Sequence, residues 1–544
     1  LSPMLTSLFA VIAHRSHPAY CDCVTMNKVD TFDSLDEVSS PIAATIRGNV
    51  PSWLNGSLIR VSPGKFDMGN FTMNHLLDGF ANVQNFVIKD GKVTFSSKFI
   101  QSEAYKKACV HYRPIFTEFG TKAYPDPCKN IFGKLMANFI PEATDNTSIG
   151  AFCHRDEVFA SSETCFLYKI DPITLDTKEK VDYVKAVGVN LATSHPLKDP
   201  DSGILYNLGL SYASGPKYHI IQIPPDDLRT NKDKINGLKG AKILATIPSF
   251  SHTKYSYYHS FAMSENYIIF MEQPLHVNCL RLATCYPKGK AFKECIEWDS
   301  SSKNKFIVID KATGYQHKIV YQSDEPFFAF HHMNAFENEN EIIIDLVAYL
   351  DDEILEKLYL TSLRGEEFQL KNRSQLRRYV IPIGESTEKF PLEQNLVHTP
   401  GVTAEAYRTG KVIVVKPQIF NVQGVDLPVV NPLYQGKPYR YAYVSGGYDK
   451  GEFEYSAVKV DMATGEHKVW KASPHNYIGS MNFISIPGAL EEDDGVLLTS
   501  CCDVRKDHPD AMIILDAKDM VELARAEVPT NINQAQHGVF VPGK

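Results

Sequence analysis

Several features are scarce in this sequence, and each absence removes a class of function. No apolar run approaches the roughly 18 residues that a membrane-spanning helix needs. Basic charge is not in excess: 56 Lys and Arg stand against 64 Asp and Glu, for a formal charge of −8, which leaves no footprint for nucleic acid. The eleven cysteines form no C-x-x-C pair, so zinc ribbons and dithiol redox sites drop out and scattered reduced thiols are expected. The glycine-rich phosphate loops, H-E-x-x-H and G-x-S-x-G are all missing, which argues against nucleotide-dependent and common hydrolytic chemistry. No Gly/Ser- or Pro-rich linker divides the 544 residues, and few windows keep a 3.6-residue apolar period for more than three turns.

What is present is strand. Short runs rich in Val, Ile, Phe and Tyr recur throughout, for example Tyr267-Ile268-Ile269-Phe270 and Val412-Ile413-Val414-Val415, and 32 Gly and 31 Pro punctuate them. One hairpin form repeats, in which an apolar strand ends in Asp, about three residues follow and a second strand returns. It occurs at Asp171, Asp310, Asp461 and, more weakly, Asp516. Asp can accept from the backbone two residues on, so each predicts a tight turn. The irregular spacing excludes a 40-residue WD-type array but fits blades carrying unequal insertions. An all-β propeller is the expected architecture, because radial repetition protects strand edges in a chain of this length. Residues 1–30 read as an N-terminal extension, with Leu5 to Ala13 similar to a short signal stretch without a preceding basic residue, and residues 31–544 read as one domain.

One helical segment stands out at residues 128–140. Ile131, Phe132, Leu135, Met136 and Phe139 fall on a single face beside Cys128, which suits either an ordinary surface helix or an interfacial anchor with Cys128 as a site for an acyl chain. Of the 18 histidines, His195, His259, His331, His332 and His537 sit in notable settings, but their separations match no local metal motif, and spacing alone cannot select among them.

Longer segments carry more information. Pro51-Ser-Trp53-Leu54-Asn55-Gly56-Ser57-Leu58 with Pro63-Gly64-Lys65-Phe66, Thr117-Glu118-Phe119-Gly120-Thr121, Pro125-Asp126-Pro127-Cys128, Gly436-Lys437-Pro438-Tyr439 and Leu490-Glu491-Glu492-Asp493-Asp494-Gly495 together resemble the carotenoid cleavage oxygenase family over nearly the full length. The segment from Ser256 to Leu275 is most similar to its eccentric-cleaving animal β-carotene oxygenases. That resemblance implies a seven-bladed propeller with a helical and loop cap over an axial iron. It implies one Fe(II) per chain held by His195, His259, His331 and His537. His331 is preferred to His332 because Phe330, His331 and Asn334 fit the pattern Phe-His-x-x-Asn. It also implies three outer carboxylates, for which Glu163 matches, Asp426 stands at the second position and Ser480 at the third. Asp426, one methylene short, is expected to reach its imidazole through water or a backbone shift, and Ser480 to offer an acceptor without charge. Phe119 becomes a candidate for a substrate tunnel.

The function implied is O2-dependent cleavage of a carotenoid or apocarotenoid C=C bond into two carbonyl products, with turnover slowed by the altered outer positions. A carotenoid carrier and a retinoid isomerohydrolase are the alternatives. The expected setting is cytoplasmic with peripheral attachment to a membrane surface, mitochondrial or secreted being the alternatives, and no nucleic acid is expected as a partner.

Overall fold

The computed structural model describes residues 32–128, 143–212, 214–225, 237–365, 368–447, 451–505 and 508–543. Strands dominate it, grouped into seven blades, antiparallel except where Val412–Lys416, from beyond the third strand of the fifth blade, pairs parallel with Val320–Ser323 of the fourth. Their first strands are, in the order of the blades, His537–Pro542, Gly150–His154, Leu191–Ala192 continued by Leu197–Lys198, Ala262–Met263, His332–Asn338, Val425–Val430 and Asn482–Ser485. These strands sit side by side around the axis: His537–Pro542 meets Gly150–His154, and His332–Asn338 meets both Ala262–Met263 and Val425–Val430. Burial follows position. Glu341–Ala348, second in its blade and covered on both faces, is buried at every residue, apolar except for Glu341 and Asp345. His467–Lys471, the outermost strand of the sixth blade, is mostly exposed and carries charge, which blunts its free edge.

The four Asp turns are local and form as expected. Asp171 Oδ1 accepts from the backbone N–H of Ile173 and Thr174, and Asp310, Asp461 and Asp516 accept from the residues two and three positions on in the same way. Each joins the third strand of a blade to the fourth, so the sequence motif marks equivalent places in the second, fourth, sixth and seventh blades.

Closure of the ring uses both ends of the described chain. His537–Pro542 pairs antiparallel with Gly56–Lys65, with Val61 opposite His537 and Gly56 opposite Pro542. Val38–Ala43 then adds to the outer edge of the first blade and Thr45–Gly48 to the outer edge of the seventh. The expected cap is built from connections between strands. Lys293 N–H donates to the Phe119 carbonyl at 2.7 Å, Lys293 Nζ lies 2.7 Å from Glu356 Oε1, and the His75 ring meets the Leu355 carbonyl at 3.0 Å. Of the expected helix over 128–140, only Cys128 falls among the described residues; Ile131, Phe132, Leu135, Met136 and Phe139 lie outside them. Among the described residues, Cys109, Cys128, Cys165, Cys279, Cys285, Cys295, Cys501 and Cys502 carry free thiols.

Candidate metal centre and adjoining cavities

His195, His259, His331 and His537 come from four different blades, each on or just ahead of the innermost strand. Their ligand nitrogens all lie within 4.8 Å of one another. His195 Nε2 is 2.9 Å from His259 Nε2, and His331 Nε2 is 3.2 Å from His537 Nε2. The rings cross almost perpendicularly, at 88° between His195 and His537 and 85° between His259 and His331, so nitrogens and not ring faces point inward. Metal–imidazole bonds of about 2.1 Å at right angles would space neighbouring nitrogens roughly 3.0 Å apart, which the observed separations match. Burial holds His195, His259 and His537 well below the usual histidine range, which keeps them in the neutral form that binds metal.

Two carboxylates set the rings. Glu163 Oε1 meets His259 Nδ1 at 2.5 Å while Glu163 Oε2 accepts from the Tyr257 hydroxyl at 2.7 Å. Asp426 repeats the arrangement: Oδ1 meets His331 Nδ1 at 2.7 Å, and Oδ2 accepts from the Tyr349 hydroxyl at 2.7 Å. Burial pushes the Glu163 carboxyl up to about 8, opposed by the Tyr257 hydroxyl. Asp426 stays below the usual carboxylate range despite its burial, because His331, Tyr349 and the Leu427 N–H all favour its charge. Asp426 is therefore ionised and its Oδ1 accepts from His331 Nδ1, which leaves Nε2 as the ring atom that faces the other imidazoles. No water is needed to span the missing methylene. The strand bulges between Asp426 and Val429, with Leu427 at φ 55°, and this carries the shorter side chain to its imidazole.

Ser480 does not take the place of a third carboxylate on an imidazole. Its Oγ accepts from Arg60 Nη2 at 3.2 Å, and the same nitrogen donates to the Ala535 carbonyl at 2.7 Å. Arg60 is fully buried, and burial lowers it to about 10. Asn482 Nδ2 donates to the Gly538 carbonyl at 2.8 Å, so Arg60 and Asn482 fix the backbone on either side of His537. His332 faces elsewhere: its Nδ1 meets Ser260 Oγ at 2.9 Å, and that hydroxyl donates to the Phe330 carbonyl. Sequence reasoning missed Tyr257, Tyr349 and Arg60, which carry no motif of their own.

One cavity opens on the cluster, and a second, larger one reaches Glu163 but none of the four histidines. The first, of about 110 Å³, is lined by His259, His331, His537, Phe330 and Tyr349. The other, about 600 Å³, is walled by Phe119, Tyr257, Tyr258, Leu191, Leu282 and Phe292, and Glu163 reaches its surface. Leu77 lines both.

Comparison with known proteins adds three findings. The family described as retinal pigment epithelial membrane protein matches residues 31–542. The chain is 38% identical over 525 residues to the mitochondrial carotenoid-cleaving dioxygenase of Mustela putorius furo, covering 93% of this chain and 95% of that protein, and 36% identical over 527 residues to the β,β-carotene 15,15'-dioxygenase of Rattus norvegicus, covering 93% and 90%. Among solved structures, a variant of Synechocystis apocarotenoid oxygenase superposes with a TM-score of 0.76 at 22% identity, covering 95% of this chain and 99% of that one, and the cobalt-substituted form of the Synechocystis enzyme gives 0.75 with the same identity and coverage.

Proposed function

The chain belongs to the retinal pigment epithelial membrane protein family, and from that premise we propose that it is an iron(II) dioxygenase that cleaves a C=C bond of a carotenoid or apocarotenoid into two carbonyl products. The observation that carries the reading is the convergence of four imidazole nitrogens beside a large apolar cavity. Four imidazole donors without a thiolate suit iron(II), which His195, His259, His331 and His537 would hold. Iron held there would supply the activation of O2 that splitting an unactivated double bond requires.

The protein's own residues do the rest. His195, His259, His331 and His537 hold the ion. Glu163 and Asp426 keep the His259 and His331 rings in one orientation and raise their basicity, and Tyr257 and Tyr349 hold those carboxylates. A dication among the rings would draw Glu163 towards its ionised form. The aromatic cavity desolvates a polyene and excludes water from the bond that breaks. Tyr349→Phe leaves Asp426 with its other two donors, so we expect metal loss to a chelator to accelerate about tenfold, the lower end for a change behind a ligand.

The test is iron-loaded protein with β-carotene under labelled O2. One label in each carbonyl product supports the reading. A carotenoid absorption band that persists in air, with no aldehyde formed, would establish a carrier instead.

A polyene of this kind must be drawn from lipid, so the exposed Val110 and Tyr112 are proposed to face a membrane, with Ile131, Phe132, Leu135, Met136 and Phe139 of the sequence as the candidate anchor residues. His111, between Val110 and Tyr112, lies 3.9 Å from the Cys128 sulfur, so that segment leaves the described structure beside them. Replacing Phe132, Leu135 and Phe139 together by Ser should move the protein from sedimented liposomes to the supernatant. Unchanged sedimentation would assign the segment to the surface or core alone.

A further inference from the structure

Among the described residues, one group of unlike donors converges outside the four-histidine cluster. His111 is the last residue of the helix Glu103–His111, and Asp126 and Cys128 lie in the turn over 125–128. His111 Nε2 is 3.9 Å from Cys128 Sγ and 4.0 Å from Asp126 Oδ1, and the three donor atoms all lie within 4.8 Å of one another. We propose that these residues form a second metal site, for a thiophilic divalent cation of the zinc type.

The local geometry favours it. The Cys128 N–H donates to Asp126 Oδ1 at 2.9 Å, which curls the turn so that carboxylate and sulfur belong to one compact loop. Lys107 Nζ sits 3.4 Å from the other oxygen, Oδ2. The His111 and Asp126 side chains are only 14% and 5% exposed, so two of the donors are already largely dehydrated, whereas Cys128 is open to an arriving ion. Zinc bonds of about 2.0 to 2.3 Å at tetrahedral angles place donors roughly 3.3 to 3.7 Å apart, so the His111–Cys128 and His111–Asp126 distances would contract by roughly 0.4 to 0.7 Å. On binding, the Cys128 thiol gives its proton to solvent. Thiolate and carboxylate then balance the dication, Lys107 remains as the countercharge on the outer carboxylate oxygen, and water completes the fourth position. Nothing is oxidised or reduced. Sulfur separates this donor set from the four imidazoles, so the two sites prefer different metals. A cation there would tie the helix Glu103–His111 to the turn from which residues 129–142 continue.

The experiment adds cobalt(II) to iron-loaded protein. A thiolate-to-cobalt charge-transfer band in the near ultraviolet, saturating at one equivalent and displaced by zinc(II), is expected; a site of four imidazoles cannot produce it. Cys128→Ser and His111→Ala should each remove the band, and Cys109→Ser should keep it. In the unsubstituted protein, zinc should slow alkylation of Cys128 by at least tenfold, a readout independent of how the variants fold. Absence of the band, its survival in both variants, or alkylation indifferent to zinc would overturn the site.

Discussion

His259→Ala is expected to release the metal and abolish carbonyl formation together, while His332→Ala keeps both. The two residues share much: both are histidines at the inner end of a blade, both are largely buried, and burial lowers both, His332 to about 3. What separates them is direction. The His259 ring is aimed by Glu163 so that Nε2 lies 2.9 Å from that of His195, whereas His332 is tied through Nδ1 to Ser260, away from the cluster. Removing one of four nitrogen donors weakens the hold on iron enough for a chelator to take it, and the cavity left by the ring admits water. Metal content by elemental analysis and product yield by mass spectrometry are the measurements. Full iron retention in His259→Ala, with the fold intact, would remove that residue from the site.

Glu163→Gln is expected to raise the rate of metal loss to a chelator by about 10- to 100-fold while leaving the fold unchanged. The replacement is nearly isosteric: its amide oxygen still accepts from His259 Nδ1, and its NH2 meets the Tyr257 hydroxyl, which can turn to accept. Only the negative charge is lost, and with it the electron density that the imidazole passes to the cation. Asp426→Asn tests the same effect at His331. Because both carboxylates are directly bonded to their rings, equal losses are expected from the two variants. An unchanged dissociation rate in either one would mean that its carboxylate positions the ring and contributes nothing through charge.

The sequence disclosed what depends on neighbours in the chain. Each Asp turn is settled within four residues, so Asp171, Asp310, Asp461 and Asp516 could be read as turns and then as marks of repeating blades. The histidines were different. Separations of 64, 72 and 206 residues say nothing until blades are arranged about an axis, so only resemblance singled out the four. Around them, residues with no motif were invisible. Tyr349 is an ordinary strand aromatic until Asp426 is placed beside it, and Arg60 is a cation in an apolar strand until its contacts with Ser480 and Ala535 appear. The Asp426 bulge was hidden for a conformational reason: it needs a positive φ at Leu427, a residue type that does not advertise it, whereas Gly424 three residues earlier does.

The pairing of His537–Pro542 with Gly56–Lys65 sets a timetable for the nascent protein. The first blade's inner edge is made early in synthesis and must wait, with its N–H and C=O groups unpaired, until more than four hundred further residues have emerged. At typical elongation rates of about 5 to 20 residues per second, that is on the order of half a minute or longer. During that interval the edge is a template for any passing strand. The strand that finally covers it begins with His537, one of the four histidines proposed to hold the ion, so on that proposal ring closure and completion of the metal centre are the same event. An incomplete chain can therefore neither shield its sheet nor hold its ion. Misassembled protein should accumulate as metal-free aggregate, and iron supplied during synthesis should raise soluble yield only after the last strand has left the ribosome.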